Sequence, residues 1–294
     1  MVQYKSRVVR LRQGDLEVHE AGEGTPLVLL HGAFTDHTIW NDLVTRMVVL
    51  GYRCVVPDLP LGSHRQPMPQ HADLSPSGLA DLVADLITAL ELAPATIISN
   101  DTATAVMQLV LTRHPTVTGA AVLTSGDAYE HFLPPVFASL KVLPYVPGGL
   151  QMLGRVMRHP RLGRQRWAFG RLSTTGMSTE QAERWSAGLT TNPGVRRDVR
   201  SMIRGFHRRH TLGAAALFGT VGAPVRIVWG RDDQVFPVRL AARLARDLPH
   251  ADLHVLDHGW TYLQLDAAQE LSALVHSFVG TGHGRRSPQP ALDT

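Results

Sequence analysis

Short apolar runs alternate with longer stretches of helical spacing along most of the chain. "SRVVRLRQGDLEVHEAG" reads as a hairpin turning near Gly14-Asp15. "PLVLLHG" (26–32) and "YRCVVPD" (52–58) are continuous apolar runs of the kind buried on both faces of a parallel sheet. "LSPSGLADLVADLITALEL" (74–92) spaces its aliphatic residues by three and four, with Ser75-Pro76 as N-cap and first-turn proline. The strand "ATIIS" and a helix over 102–113 follow, then the strand "GAAVLTSG" (119–126). "PVRIVWG" (224–230) and "ADLHVLD" (251–257) are two more strands, separated by the helix "RLAARLARDLP" and followed by the helix "DAAQELSALVHSFVG". This alternation predicts an α/β protein with a mostly parallel sheet covered by helices on both faces.

The rhythm breaks between 131 and 220. No buried-strand pattern occurs there. Prolines stand at 134, 135, 144 and 147, followed by amphipathic patterns such as "TEQAERWSAGL" and "VRRDVRSMIRGFHRRH". The stretch is expected to be a helical insertion (131–220) between two strands of a core made of 1–130 and 221–280. The polar, Gly- and Pro-rich end, 281–294, is expected to be disordered.

Composition narrows the class. Apolar residues make up 44% of the 294 and charged residues 18%, which suits a globular chain with a sizeable core. The one cysteine, Cys54, sits in an apolar run; it excludes an internal disulfide framework and reads as a core residue. The start lacks a secretory h-region, and no apolar run reaches the ~18–20 residues of a membrane span. A cytoplasmic protein with no membrane partner is expected. The net charge of +4 is uneven: thirteen arginines and three acids lie between Gln151 and His210. That strip is either a solvated helical face or a surface for an anionic ligand or an acidic carrier. No nucleic-acid-binding motif accompanies it.

Candidate chemistry centres on "TIISNDTATAVMQLV". Here a strand meets a helix at Ser99-Asn100-Asp101-Thr102-Ala103. A carboxylate on such a turn stands clear of the sheet above a helix N-terminus, with small residues two positions either side to let backbone pass. Asp also tolerates the positive φ that the turn requires, and it is equally a good N-cap. Upstream, "LVLLHGAF" ends a strand so that the Ala33 N–H, with that of Thr102, can face developing negative charge. Downstream, "WGRDDQVFP" places Asp233 just past another strand, where it can orient a histidine or serve a polar turn.

These pieces, "LLHG", "VVPDLP", "SNDTA", "WGRDDQVFP" and "YLQLDAAQEL", resemble the α/β-hydrolase superfamily over nearly the whole chain. The resemblance implies the α/β-hydrolase fold, with the helical stretch as a cap inserted after the sixth strand. Asp in place of Ser looks like the branch of epoxide hydrolases and haloalkane dehalogenases, in which a carboxylate attacks carbon and a His-activated water hydrolyses the ester. "PDLPLGSHRQPM" and "NDTATAVMQLVLTRHP" further resemble a bacterial group with an Asn-Asp-Thr elbow. By resemblance Asp101 is the nucleophile, Ala33 and Thr102 the oxyanion donors, Asp233 the orienting acid and Asp127 the alternative acid. His31 would orient the oxyanion loop and Asp58 would be structural.

The chain also departs from that pattern. The base position, aligned on "TYLQLDAAQEL", holds Thr261; the nearest histidine is His258, three residues earlier. Thr102 and Ala33 stand where a dehalogenase carries halide-holding residues, which weakens that reading. Tyr129 and Tyr145 are candidates for protonating an epoxide oxygen, and Trp167 and Trp185 for lining a pocket; each is equally a packed or surface aromatic. His37, His64 and His71 carry no metal-ligand spacing, Gly22-Glu23-Gly24 lacks the rest of a phosphate loop, and no dinucleotide fingerprint is present, so neither metal nor cofactor is expected. The expected activity is that of a cofactor-independent hydrolase acting on a small organic electrophile, with an epoxide as the expected substrate. The missing base keeps two alternatives open: a non-hydrolytic lyase, isomerase or cyclase, or a binding protein on the same scaffold.

Overall fold

The computed structural model describes residues 2–163, 165 and 169–280; Trp167 and the tail 281–294 lie outside them. Strands β1 (Lys5–Leu11), β2 (Gly14–Ala21), β3 (Thr25–Leu30), β4 (Tyr52–Pro57), β5 (Ala95–Asp101), β6 (Thr118–Gly126), β7 (Val225–Gly230) and β8 (Ala251–Leu256) form one sheet in the order β1-β2-β4-β3-β5-β6-β7-β8. β1 pairs with β2 and β2 with β4 antiparallel; the other pairs are parallel. The α/β-hydrolase fold expected from the sequence is therefore present. Burial explains the patterns: all of β5 and the last four residues of β3 are buried, whereas β1, at the edge, is mostly exposed.

Helices α1 (Asn41–Val49), α2 (Pro76–Ala89) and α3 (Thr102–Arg113) lie in the first half of the chain. α2 begins as read, with the Ser75 hydroxyl accepting from the Gly78 N–H and Pro76 in the first turn. Between β6 and β7 come α4 (Gly149–Arg158), α5 (Pro160–Gly163), α6 (Thr179–Thr191), α7 (Pro193–Gly205) and α8 (Arg209–Ala215). α6 opens with a reciprocal capping box between Ser178 and Gln181. α4 packs on α6, and Trp185 of α6 donates to the Asp36 carboxylate (2.9 Å), tying the inserted helices to the loop after β3. α9 (Arg239–Asp247), α10 (Leu263–Asp266) and α11 (Ala268–Gly280) complete the chain. Among the described residues no helix is long and apolar enough to cross a membrane.

Candidate active site

β5 and α3 meet without a connecting loop, and Asp101 is the joint. Its backbone takes φ 55° and ψ −126°, a conformation non-glycine residues rarely hold. The side chain makes no capping hydrogen bond to α3. It faces instead the backbone N–H groups of Thr102 and Ala33 and lines a cavity of about 600 Å3 beneath the inserted helices. Close approach from the β3 side is possible only because residue 32 is glycine: a Cβ there would stand 2.2 Å from Asp101 Oδ2. His31, fully buried, fixes this loop, accepting the Leu59 N–H at Nε2 (2.8 Å) and pairing at Nδ1 with the Gly32 carbonyl (2.9 Å).

The tips of the strands are tied together by buried amides. Asn100 Nδ2 donates to Thr124 Oγ1, the Ser125 carbonyl and the Thr261 carbonyl, while Gln264 donates to Asn100 Oδ1. Gln108 donates to the Asp127 carbonyl, and the Asp127 N–H reaches the Asp101 carbonyl. Asp101 and Asp127 are thereby held side by side, both lining the cavity. Asp127 is almost fully buried, its carboxyl meets the Thr102 hydroxyl, and its Oδ1 has no partner.

The electrostatics follow from burial. Desolvation pushes the Asp101 carboxyl up to about 7; the Thr102 and Ala33 N–H groups oppose this and the Asp233 charge adds to it. Desolvation, reinforced by the neighbouring Asp101, holds the Asp127 carboxyl well above the usual carboxylate range. Two neighbouring desolvated carboxyls do not both ionise easily, so each favours the proton more than a free carboxyl does.

Asp233 stands past β7, where its Oδ1 accepts the Val235 and Phe236 N–H groups and the Thr261 hydroxyl (3.0 Å). Burial raises its carboxyl to about 6 against those bonds. Thr261 thus takes the place against this acid where an imidazole was sought. The structure does not bring His258 to it: the residue is exposed, on the turn before the positive-φ Gly259, and does not line the cavity. Asp266 holds the turn away, accepting the Trp260 N–H (3.0 Å) and, from the inserted segment, the Ser173 hydroxyl and the Thr174 and Thr175 N–H groups.

Of the aromatic candidates, Trp167 lies outside the described residues, and Tyr129, Tyr145 and Trp185 are not brought to the cavity, each having its polar end or ring engaged elsewhere. The Tyr129 hydroxyl donates to Asp247 (2.9 Å), with the Arg243 guanidinium over its ring. Tyr145 is exposed, under Arg204. Trp185 donates to Asp36 and Thr38. The wall is made instead by aliphatic and aromatic side chains such as Phe34, Phe137, Leu140, Leu143 and Phe206, and by Tyr262. Tyr262 went unread in the sequence although it follows Thr261 directly. Its fully buried hydroxyl has no partner, and burial beside Asp101 keeps it protonated far above neutral pH. Among the described residues the lining holds no histidine, lysine, tryptophan or asparagine, and Arg155 is its one cation.

One other polar cluster lies outside the cavity. Asp58 accepts from His19 (3.1 Å) and from the His37 ring (2.9 Å) and N–H (2.8 Å), with the two rings stacked at 3.4 Å. His37 and His64 are both buried, His64 against Asp198 (3.2 Å). His19, His37 and Asp58 are close enough to consider a metal ion. Their facing atoms are already joined by hydrogen bonds, and the second His19 nitrogen pairs with Ser6 (2.7 Å), so the group is complete as protein.

The sequence profile described as the alpha/beta hydrolase family matches residues 27–274. The chain is 24% identical over 284 residues to a 2-hydroxy-6-oxononadienedioate/2-hydroxy-6-oxononatrienedioate hydrolase of Dechloromonas aromatica, covering 93% of this chain and 95% of the relative. It is 26% identical over 269 residues to a 2-hydroxymuconate semialdehyde hydrolase of Pseudomonas sp. (strain CF600), covering 89% of each. These relatives are not named for epoxides. A solved alpha/beta hydrolase fold protein from Burkholderia ambifaria superposes with a TM-score of 0.77 at 19% identity, over 94% of this chain and 100% of that one.

Proposed function

The chain belongs to the alpha/beta hydrolase family, and from that premise we propose that it is a hydrolase whose nucleophile is the Asp101 carboxylate. Its substrate is a small, mainly apolar electrophile, of which an epoxide fits best. The observation that carries this reading is the strained Asp101 joint, with its carboxylate facing two backbone N–H groups and open to the cavity. One oxygen of an ester formed at Asp101 remains against Ala33 and Thr102. When water attacks the ester carbonyl, negative charge grows on that oxygen, where the donors already stand.

An epoxide suits the cavity because its leaving oxygen stays attached and needs only a proton. The Tyr262 hydroxyl and the Asp127 carboxyl can hydrogen-bond it. A halide would need donors of the tryptophan or asparagine kind, which the described lining lacks. An anionic group elsewhere on the substrate would meet Arg155.

Thr261 at the base position supports a second reading, in which the Asp101–Asp127 pair moves protons on a bound substrate without hydrolysis. A single turnover in H₂¹⁸O separates the two. Nucleophilic hydrolysis places label in the Asp101 carboxylate, and Asp101→Asn abolishes it. Deuterium exchange into the substrate with no labelled Asp101 would replace the first reading by the second.

A further inference from the structure

Given a nucleophilic Asp101, the protein needs a base for the second half of its cycle, and no imidazole lines the cavity among the described residues. We infer that Asp127 is that base and also the acid of the first half, one carboxyl carrying a single proton in both directions. The inference rests on the nucleophilic reading above.

Three geometric observations lead to it. Asp127 follows β6 directly, and Gly126 is in register with Asp101, so the two carboxyl groups come from adjacent strand tips. Asp127 is 1% exposed and is one of the residues lining the cavity. Its Oδ1 has no partner, although buried carboxyl oxygens ordinarily have one. The strut from Gln108 to the Asp127 carbonyl fixes the residue's position, and the Thr102 hydroxyl engages its carboxyl while Oδ1 stays unpaired. Thr261 cannot take the role: its hydroxyl is spent on Asp233, and it is far too weak a base.

The proton balance closes. In the resting pair Asp101 is the carboxylate, since two N–H groups favour its charge, and Asp127 carries the proton. An Asp101 oxygen bonds to the epoxide carbon, the C–O bond breaks, and the freed oxygen takes the Asp127 proton. Asp127, now a carboxylate, removes a proton from water while the oxygen of that water bonds to the ester carbonyl carbon. Collapse breaks the acyl C–O bond; the former Asp101 oxygen, now on the substrate carbon, takes the proton back from Asp127, and the diol leaves with the water oxygen retained in Asp101. Asp101 is then a carboxylic acid; it passes its proton to Asp127 and the resting pair is restored. The net reaction is epoxide plus water to diol.

The test uses the full chain and a set of small apolar epoxides led by styrene oxide, with intact-mass and diol assays. Wild type should turn over. Asp127→Asn should lose about 10²–10⁴-fold in diol formation, the residual reaction stalling as an alkylated Asp101. Asp127→Ala should regain turnover with added formate, saturably, which a purely structural carboxyl would not do. Thr261→His in the Asp127→Asn background should release the stalled ester by returning an imidazole beside Asp233. Turnover of Asp127→Asn within threefold of wild type, or an Asp127→Ala protein with native circular dichroism and no formate rescue, would overturn the role of Asp127 and leave the nucleophile standing. Wild type giving neither adduct nor diol across the set would instead sink the nucleophilic reading itself, and this inference with it.

Discussion

Asp58 and Asp101 stand at the ends of strands two places apart in one sheet, both almost entirely buried, and they have opposite chemistry. Asp58 is surrounded by donors: two imidazoles and a backbone N–H. Burial works against its charge, but the hydrogen bonds from His19 and His37 outweigh it and hold the carboxyl well below the usual range. Asp101 has two backbone N–H groups, a second carboxyl beside it and an apolar cavity in front, and burial pushes it up. A saturated buried carboxylate is a strut. An under-supplied one, held by a strained backbone at some expense of stability, is what the proposed nucleophile requires.

The largest effect that would break this contrast concerns activity. Asp101→Asn should lower turnover by about 10³-fold or more while leaving the melting temperature equal or higher, since the amide carries no charge to be buried beside Asp233. Steady-state kinetics beside a thermal melt would decide it. An active Asp101→Asn protein would make the strained turn a relic. The converse holds for the strut: Asp58→Ala removes the acceptor of three buried donors and should cost about 3–5 kcal/mol in urea unfolding. A loss below about 1 kcal/mol would mean that His19 and His37 find water instead.

Acid and base limbs sharpen the contrast next. The Asp58 contribution is fully present above about pH 4 and is lost as pH falls toward its depressed folded value. The Asp101–Asp127 pair acts in the other direction. Its folded carboxyls prefer the proton, so their contribution is greatest below about pH 4 and declines as pH rises toward about 7. Asp101→Asn should therefore gain stability over wild type at pH 7.5 and not at pH 4, by roughly 1–3 kcal/mol. Asp58→Asn should flatten the acid limb alone. Unfolding curves across pH 3–8 would test both signs. A smaller change belongs to the inserted helices: Trp185→Phe removes the bonds to Asp36 and Thr38 and should cost about 1 kcal/mol with little change in kcat.

The sheet was legible in the sequence because buried parallel strands are written as continuous apolar runs, and β5 and β6 came out nearly residue for residue. The elbow was legible because only a few residue types fit a joint with positive φ between a buried strand and a helix. The cavity wall was not. Whether Tyr129 or Tyr262 faces the ligand depends on long-range partners, Asp247 for the one and none for the other, 118 residues away in the first case. The aliphatic lining comes from the 3-10 turns and α4 of the inserted segment, whose patterns say amphipathic and nothing about what they cover. Asp127 was seen as a spare orienting acid. That it lines the cavity and keeps a buried oxygen without a partner is a fact of tertiary packing.

The smallest effect expected is also the most pointed, for it concerns His258. Spacing alone made it the nearest imidazole to the base position, and a remodelled loop would have been enough to carry it in. The loop is instead tied outward, through four bonds that Asp266 accepts from Trp260, Ser173, Thr174 and Thr175. The position it would fill is closed by the Thr261 hydroxyl on Asp233. His258→Ala should accordingly leave both turnover and its pH profile within about twofold, because an exposed side chain remote from the reacting atoms moves neither charge nor packing there. Thr261→Val is the companion measurement. It strands the Asp233 carboxylate without its hydroxyl donor and should raise that group further from about 6, costing about 1–2 kcal/mol of stability at neutral pH. A His258→Ala protein slowed a hundredfold would mean that the loop swings inward during the reaction, and it would move the base from β6 back to the turn after β8.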